Sequence, residues 1–226
     1  MGSIARRSVN DWTLTVTGKS GHSSRIFSDS FGDGAVNEAA RILAAFRTEL
    51  PEPNLTFNTG LLAAGVTAGI DASGSKASAQ GKSNIIPATA VARGDFRTLS
   101  EAQTARVRAK MERIVAAHAP GTMAAIQFES GYPAMPPTAG NRALLDRLNR
   151  VNTDMGLVEM AALDPLKRGA GDIAFVAGDV DGLIGLGAAS SGDHAPGETV
   201  DLASLPRQAK RAAILMARLS REPVAR

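Results

Sequence analysis

Only three histidines occur in the chain, His22, His118 and His194, and there is no cysteine. Any metal must therefore be held by imidazole and carboxylate, and disulfides and thiolate sites are excluded. His22 and His194 each lie in a Gly/Ser-rich polar stretch directly after a strand-like segment, where a rigid scaffold commonly displays functional groups. His118 lies near Pro120 at the end of a helical pattern, where a cation complements the helix dipole, and it is read as structural. Gly81-Lys82-Ser83 ends like a phosphate-binding loop, but Lys76 stands where the first glycine must make the tight turn. Gly21-His22-Ser23-Ser24 begins like a nucleophile elbow, yet Arg25 stands where a final glycine lets strand turn sharply into helix, so a serine hydrolase is the weaker reading.

The elements that must position these residues are legible from periodicity. Trp12, Leu14 and Val16 alternate with Thr13, Thr15 and Thr17, the period of a half-buried strand. Val36, Ala39, Leu43, Phe46 and Leu50 recur at helical spacing until Pro51 and Pro53 end the helix. A strand follows at 55–62, then a Gly/Ala/Ser-rich hairpin region, then a strand at 88–97 entered through Pro87. Ser100 and Gln103 have capping-box spacing ahead of a helix whose apolar face is Val107, Met111, Ile114 and Val115, and a fourth strand runs over 123–129. This βαββαβ order predicts an α+β, ferredoxin-like sandwich over residues 10–131. Residues 132–226 change pattern to a helix (141–151), a short strand (158–162), a helix (172–176), a strand (183–186) and a helix (204–219), which reads as half of an α/β unit.

Composition narrows the partners. With 44% apolar residues in 226, the chain can bury a core, and no apolar run approaches the roughly 20 residues of a membrane-spanning helix. The N-terminal decapeptide carries Arg6 and Arg7 with no apolar stretch behind them, unlike a secretory signal. The 25 basic and 22 acidic side chains nearly balance. Arg207, Lys210, Arg211 and Arg218 read as the solvated face of an amphipathic helix, and no aromatics interleave with them to stack on bases, so no nucleic-acid partner is expected.

Four segments, in order, carry a resemblance: Gly18-Lys19-Ser20-Gly21-His22-Ser23-Ser24; Ser83-Asn84-Ile85-Ile86-Pro87 with Asp95-Phe96-Arg97; Arg168-Gly169-Ala170-Gly171-Asp172; and Gly192-Asp193-His194-Ala195-Pro196-Gly197-Glu198. Together they resemble the carboxypeptidase G, aminoacylase and succinyl-diaminopimelate desuccinylase family of zinc metallopeptidases, over nearly the whole chain. The resemblance implies that the sandwich is a lid inserted into the catalytic domain and carrying a homodimer interface. It implies that His194 is a zinc ligand, a role suited to neutral imidazole. It implies that His22 reaches into the partner subunit's active site to stabilise the oxyanion and that Asn84 binds substrate beside it, against plain readings as a loop cap and an Asx-turn. Arg97 matches an arginine that pairs with the substrate's terminal carboxylate, against a strand-end salt bridge with Asp95. Gly169 and Gly171 match a glycine-rich turn at the cleft wall, where backbone approaches substrate closely.

The sequence departs from that family in what it lacks. The family holds two zinc ions with an early His-x-Asp motif, a bridging aspartate and a glutamate next to its general base, and neither His-x-Asp nor Glu-Glu occurs here. One matched histidine does not make a zinc site, because catalytic sites take about three protein ligands per ion. The expectation is the C-terminal part of a zinc-dependent exopeptidase or amidohydrolase, acting on a small peptide or acyl-amino acid near a free carboxylate and inactive without its N-terminal half, which a separate frame would encode. The alternative from another class is a non-catalytic dimerisation module.

Overall fold

The computed structural model describes residues 2–192 and 195–221. The chain divides into two compact units, Arg7–Ala134 and the pair Met1–Arg6 with Met135–Arg226.

In the first unit, β1 (Asn10–Thr17), α1 (Gly34–Glu49), β2 (Thr56–Gly65), the small hairpin β3 (Thr67–Ile70) and β4 (Ala77–Gln80), β5 (Thr89–Arg97), α2 (Glu101–Ala116) and β6 (Met123–Ser130) follow in order. The main sheet runs β2-β5-β1-β6 with every neighbour antiparallel, the topology of the expected ferredoxin-like sandwich. The period of two in β1 has the expected result: Trp12, Leu14 and Val16 are buried in the core cluster with residues of both helices, while Thr15 and Thr17 are exposed on the open face. Trp12 meets Phe46 of α1 edge to face, with ring centroids 5.7 Å apart. The buried stripe of α1 is Ala35, Ala39, Ile42 and Phe46; Val36 lies one position off it and is exposed, contrary to the periodicity reading.

Helix α2 starts as its sequence predicts, since the Ser100 hydroxyl accepts the Gln103 N–H at 3.2 Å. The Gln103 carboxamide oxygen accepts from Leu99 N–H, and its nitrogen donates to Glu52 and to the Pro53 carbonyl, which ties the helix start to the α1–β2 connection. Glu52 also accepts from Arg106 and Lys110. These donors, Arg106 first, hold its carboxyl down at about 2.

The second unit packs α3 (Ala139–Asp154) against α4 (Ser204–Leu219), with Ile4, Leu145, Leu148, Val151 and Leu215 in its core. The two strands expected at 158–162 and 183–186 are each reduced to one bridge: Ala162 pairs with Gly2 and Ile184 with Ser3. Each has only the short N-terminal segment as neighbour, and a single bridge does not extend into a ladder. The helix expected at 172–176 is one short turn, Asp172–Phe175. Ser190–Ser191 (β7) and Thr199–Val200 (β8) form a two-residue antiparallel pair. Basic residues of α4 have intramolecular partners: Arg218 pairs with Asp154, Arg207 with Asp201, and the buried Arg211 donates to Asn152. None of the helices among the described residues is long and apolar enough to cross a membrane.

Each unit closes on its own ends. Arg6 and Met135 exchange two backbone hydrogen bonds at 2.9 Å within the second unit. Within the first, Val9 N–H donates to Tyr132 and Gly131 N–H donates to Val9, at 2.9 and 3.0 Å. This pairing, with the Ser8 and Thr98 hydroxyls 2.7 Å apart, carries the sandwich a few residues beyond the 10–131 read from the pattern.

Candidate functional site

The end of β1 delivers His22. Gly18 N–H donates to the Ala88 carbonyl, and the chain then runs alongside residues 84–86: Ile86 N–H donates to Gly21 (2.7 Å), Ser23 N–H to Asn84 (2.9 Å) and the Ser20 hydroxyl to Ile86 (3.1 Å). A bridge pairs His22 with Ile85. Two loops separated by some sixty residues are thus stitched together beside the sheet end, and both His22 and Asn84 are exposed there.

The imidazole is oriented by its own loop. Ser23–Arg25 forms one short helical turn, and His22 Nδ1 accepts the Ser24 N–H at 3.3 Å with the Ser24 hydroxyl at 2.8 Å. A backbone amide can only donate, so Nδ1 acts as the acceptor, and this network puts the proton of the neutral ring on Nε2. The loop-cap role and the donor role are therefore compatible: capping through Nδ1 leaves an N–H donor at Nε2.

Beneath this turn sits Phe31, 8% exposed. A Cβ on Gly21 would collide with three atoms of the Phe31 ring, so glycine is needed where the backbone crosses it. The Arg25 guanidinium stacks on the same ring at 4.1 Å from its centroid, and Lys19 Nζ lies 5.3 Å from it while donating to the Ser30 carbonyl at 2.9 Å. Sequence reasoning named Arg25 only as the residue that spoils a nucleophile elbow and passed over Phe31. The signal was there in a glycine beside a histidine and a lone aromatic nine residues later.

Arg97 is elsewhere. It ends β5, with Nε donating to Asp95 at 3.2 Å, on an open sheet face where Arg93 also pairs with Glu129 (2.8 Å) and Asp11 (3.3 Å). Hydrogen bonding from Arg93 pulls the Glu129 carboxyl below its usual range. Asn84 precedes the other end of β5, and the eight steps from Thr89 to Arg97 span about 26 Å at strand rise. The structure thus brings His22 and Asn84 together and leaves Arg97 in its strand-end ion pair.

In the second unit, Gly171 caps the Asp172–Phe175 turn, and a Cβ there would press on Ile184 and Arg6. Gly169, two residues earlier, is half-buried. His194, the expected metal ligand, lies outside the described residues. His118 is exposed beyond the end of α2. Among the described residues, no three His, Asp or Glu side chains gather as a metal centre requires. That donor set does not fit a zinc site, and no chemical step is derived through zinc here.

The model of the peptidase dimerisation domain family matches residues 4–123. No curated protein matches significantly. Among solved structures, a tripeptidase from Staphylococcus aureus has a TM-score of 0.70 at 16% identity over 98% of this chain and 54% of its own. The aminopeptidase PepT from Bacillus cereus has a TM-score of 0.69 at 16% identity over 95% of this chain and 52% of its own. The YXEP protein of Bacillus subtilis, described as a dinuclear metal-binding peptidase of the M20 family, has a TM-score of 0.65 at 18% identity over 95% of this chain and 51% of its own. The chain spans about half the length of these relatives.

Proposed function

The chain belongs to the peptidase dimerisation domain family, and from that premise we propose that it is the C-terminal part of a metal-dependent exopeptidase or amidohydrolase that cleaves a peptide or amide bond near a free carboxylate. The observation that carries this reading is the His22 turn, a fixed Nε2–H donor beside the Asn84 loop on the sandwich of a family whose structural relatives are peptidases. In this reading His22 donates to the oxygen that gains charge as the carbonyl is attacked, where a preorganised donor contributes most. Asn84 binds the substrate beside it, Gly169 and Gly171 let backbone approach the substrate, and His194 is a metal ligand by its motif. Arg97, across the sheet from the His22 loop, has no part in that site.

Two zinc ions belong to the intact enzyme in this reading, and the 226-residue chain alone does not hold them. Exposed apolar residues of the second unit, among them Val158, Phe175 and Leu202, fit a face that an N-terminal catalytic half would cover. Two copies associate through the lid, so that His22 serves the neighbouring active site.

The experiment is hydrolysis of acyl-amino acids and dipeptides by the chain alone and mixed with the N-terminal half of an M20 peptidase encoded beside it. Activity confined to the mixture, chelator-sensitive and strongly reduced by His22→Ala, is the expected result. Hydrolysis by the chain alone, indifferent to chelator, would overturn the metallopeptidase reading. Self-association with no activity in the mixture would favour the non-catalytic dimerisation module.

A further inference from the structure

An enzyme that acts near a carboxylate needs a cation close to its oxyanion donor, and Arg97 lies at the wrong end of β5 to be that cation. We propose that Arg25, supported by Lys19 and Phe31, is the specificity residue that recognises a carboxylate on the molecule addressed by His22 and Asn84. The proposal rests on the functional reading above and adds a residue that no family motif marks.

Three features carry it. First, Arg25 is tied to His22 by one turn of backbone, its N–H donating to the His22 carbonyl at 3.0 Å, so the two side chains move as one piece. Secondly, the guanidinium is flattened on a ring that the fold holds still: Phe31 is almost fully buried, and its place against Gly21 admits no side chain on that glycine. Stacking fixes the plane of the guanidinium and leaves its edge of N–H donors free for a carboxylate's two oxygens. Thirdly, Arg25 and Lys19 gather on one ring, and among the described residues neither has a carboxylate partner. In the same unit Arg41 pairs with Glu38, Arg93 with Glu129, Arg97 with Asp95 and Arg106 with Glu52. Two cations brought together on an aromatic ring repel one another, and a bound anion relieves that repulsion.

The backbone adds a related observation. Phe27, two residues on, adopts φ +64° and is 68% exposed, although a bulky aromatic disfavours the left-handed region. Its N–H donates to the Gly32 carbonyl at 2.9 Å, which closes residues 27–32 into a compact loop and brings Phe31 back under Arg25. The unfavourable conformation is thus part of the loop closure that forms the stack.

The test is a titration of the full chain, followed by NMR at the Arg25 side-chain Nε–H, the His22 ring and the Asn84 side-chain amide. The probes are N-acetyl-glutamate and its neutral diamide, each raised to tens of millimolar. N-acetyl-glutamate should shift all three groups, and the diamide should leave Arg25 unmoved. Arg25→Ala should weaken acetyl-glutamate binding about tenfold, the loss of one charge-assisted pair, with Arg25→Lys recovering part of it. Equal shifts of His22 and Asn84 by both probes, with Arg25 still, would overturn this assignment and leave the functional reading intact. Failure of either probe to move His22 or Asn84 would remove the functional reading and this assignment together. An Arg25→Ala variant with altered self-association and an unchanged response to acetyl-glutamate would make Arg25 an interface residue, which also overturns the proposal.

Discussion

The carbonyl oxygen of Asn84 accepts the backbone N–H of Ser23 at 2.9 Å, so the residue that follows His22 is held by the residue expected to share its substrate. Neither loop can shift without the other.

The ring of His22 should therefore be found as the Nε2–H tautomer at neutral to mildly basic pH, where it is uncharged. Long-range ¹H–¹⁵N correlation of the imidazole reads this directly. Ser24→Ala removes the hydroxyl contact and keeps the amide, and it should leave the tautomer in place while broadening the ring signals. A dominant Nδ1–H form in the parent chain would contradict the hydrogen-bond assignment.

Gly21→Ala sets a methyl against the buried Phe31 ring, and the ring must move or the loop must lift. The expected cost is about 1–3 kcal/mol of stability by urea unfolding, the range for overpacking a tight site. Because Phe31 supports Arg25, the same variant should also perturb the Arg25 Nε–H resonance, which a purely global destabilisation would leave in place.

Glu52 should contribute an acid-sensitive share of stability. Its carboxyl is held at about 2 in the folded chain against 4.5 for a free glutamate, chiefly by Arg106. The folded value is depressed, so the contribution is full above about pH 4.5 and is lost as pH falls toward 2. Thermal unfolding of Glu52→Gln should accordingly differ from the parent at pH 6 and converge with it near pH 2.

The 226-residue chain should self-associate at tens of micromolar, as a member of a dimerisation domain family. Sedimentation velocity measures this. A monomer throughout that range would remove the reason to place His22 in a neighbouring subunit's active site.

The sequence was most informative where one element supplies its own periodicity. The alternation of Trp12, Leu14 and Val16 and the Ser100 cap both have the structural meaning read from them. The extended segments near Ala162 and Ile184 were misjudged, because a strand is defined by its neighbours and these have one bridge each. His22 and Asn84 were legible as a pair only through motif resemblance, since local pattern cannot show that residues 20–23 run beside 84–86. The separation of Arg97 from them followed from strand order and direction, which no spacing in the sequence displays. Arg25 was visible only as an oddity in a motif until the fold set Phe31 beneath it.

The paired ends of each unit have a practical consequence. Where Val9 meets Tyr132, the sandwich begins and finishes at one place, and where Arg6 meets Met135, so does the remainder of the chain. Such an arrangement is a cassette. Residues 7–134 can be lifted out as a self-contained gene product, and a linker of one or two residues from Arg6 to Met135 can reseal what is left, because neither cut strands an element away from its sheet or helix partners. By the same logic, a sandwich from another member of the family could be grafted between Arg6 and Met135, exchanging the His22 loop and its cations while the second unit keeps its own packing.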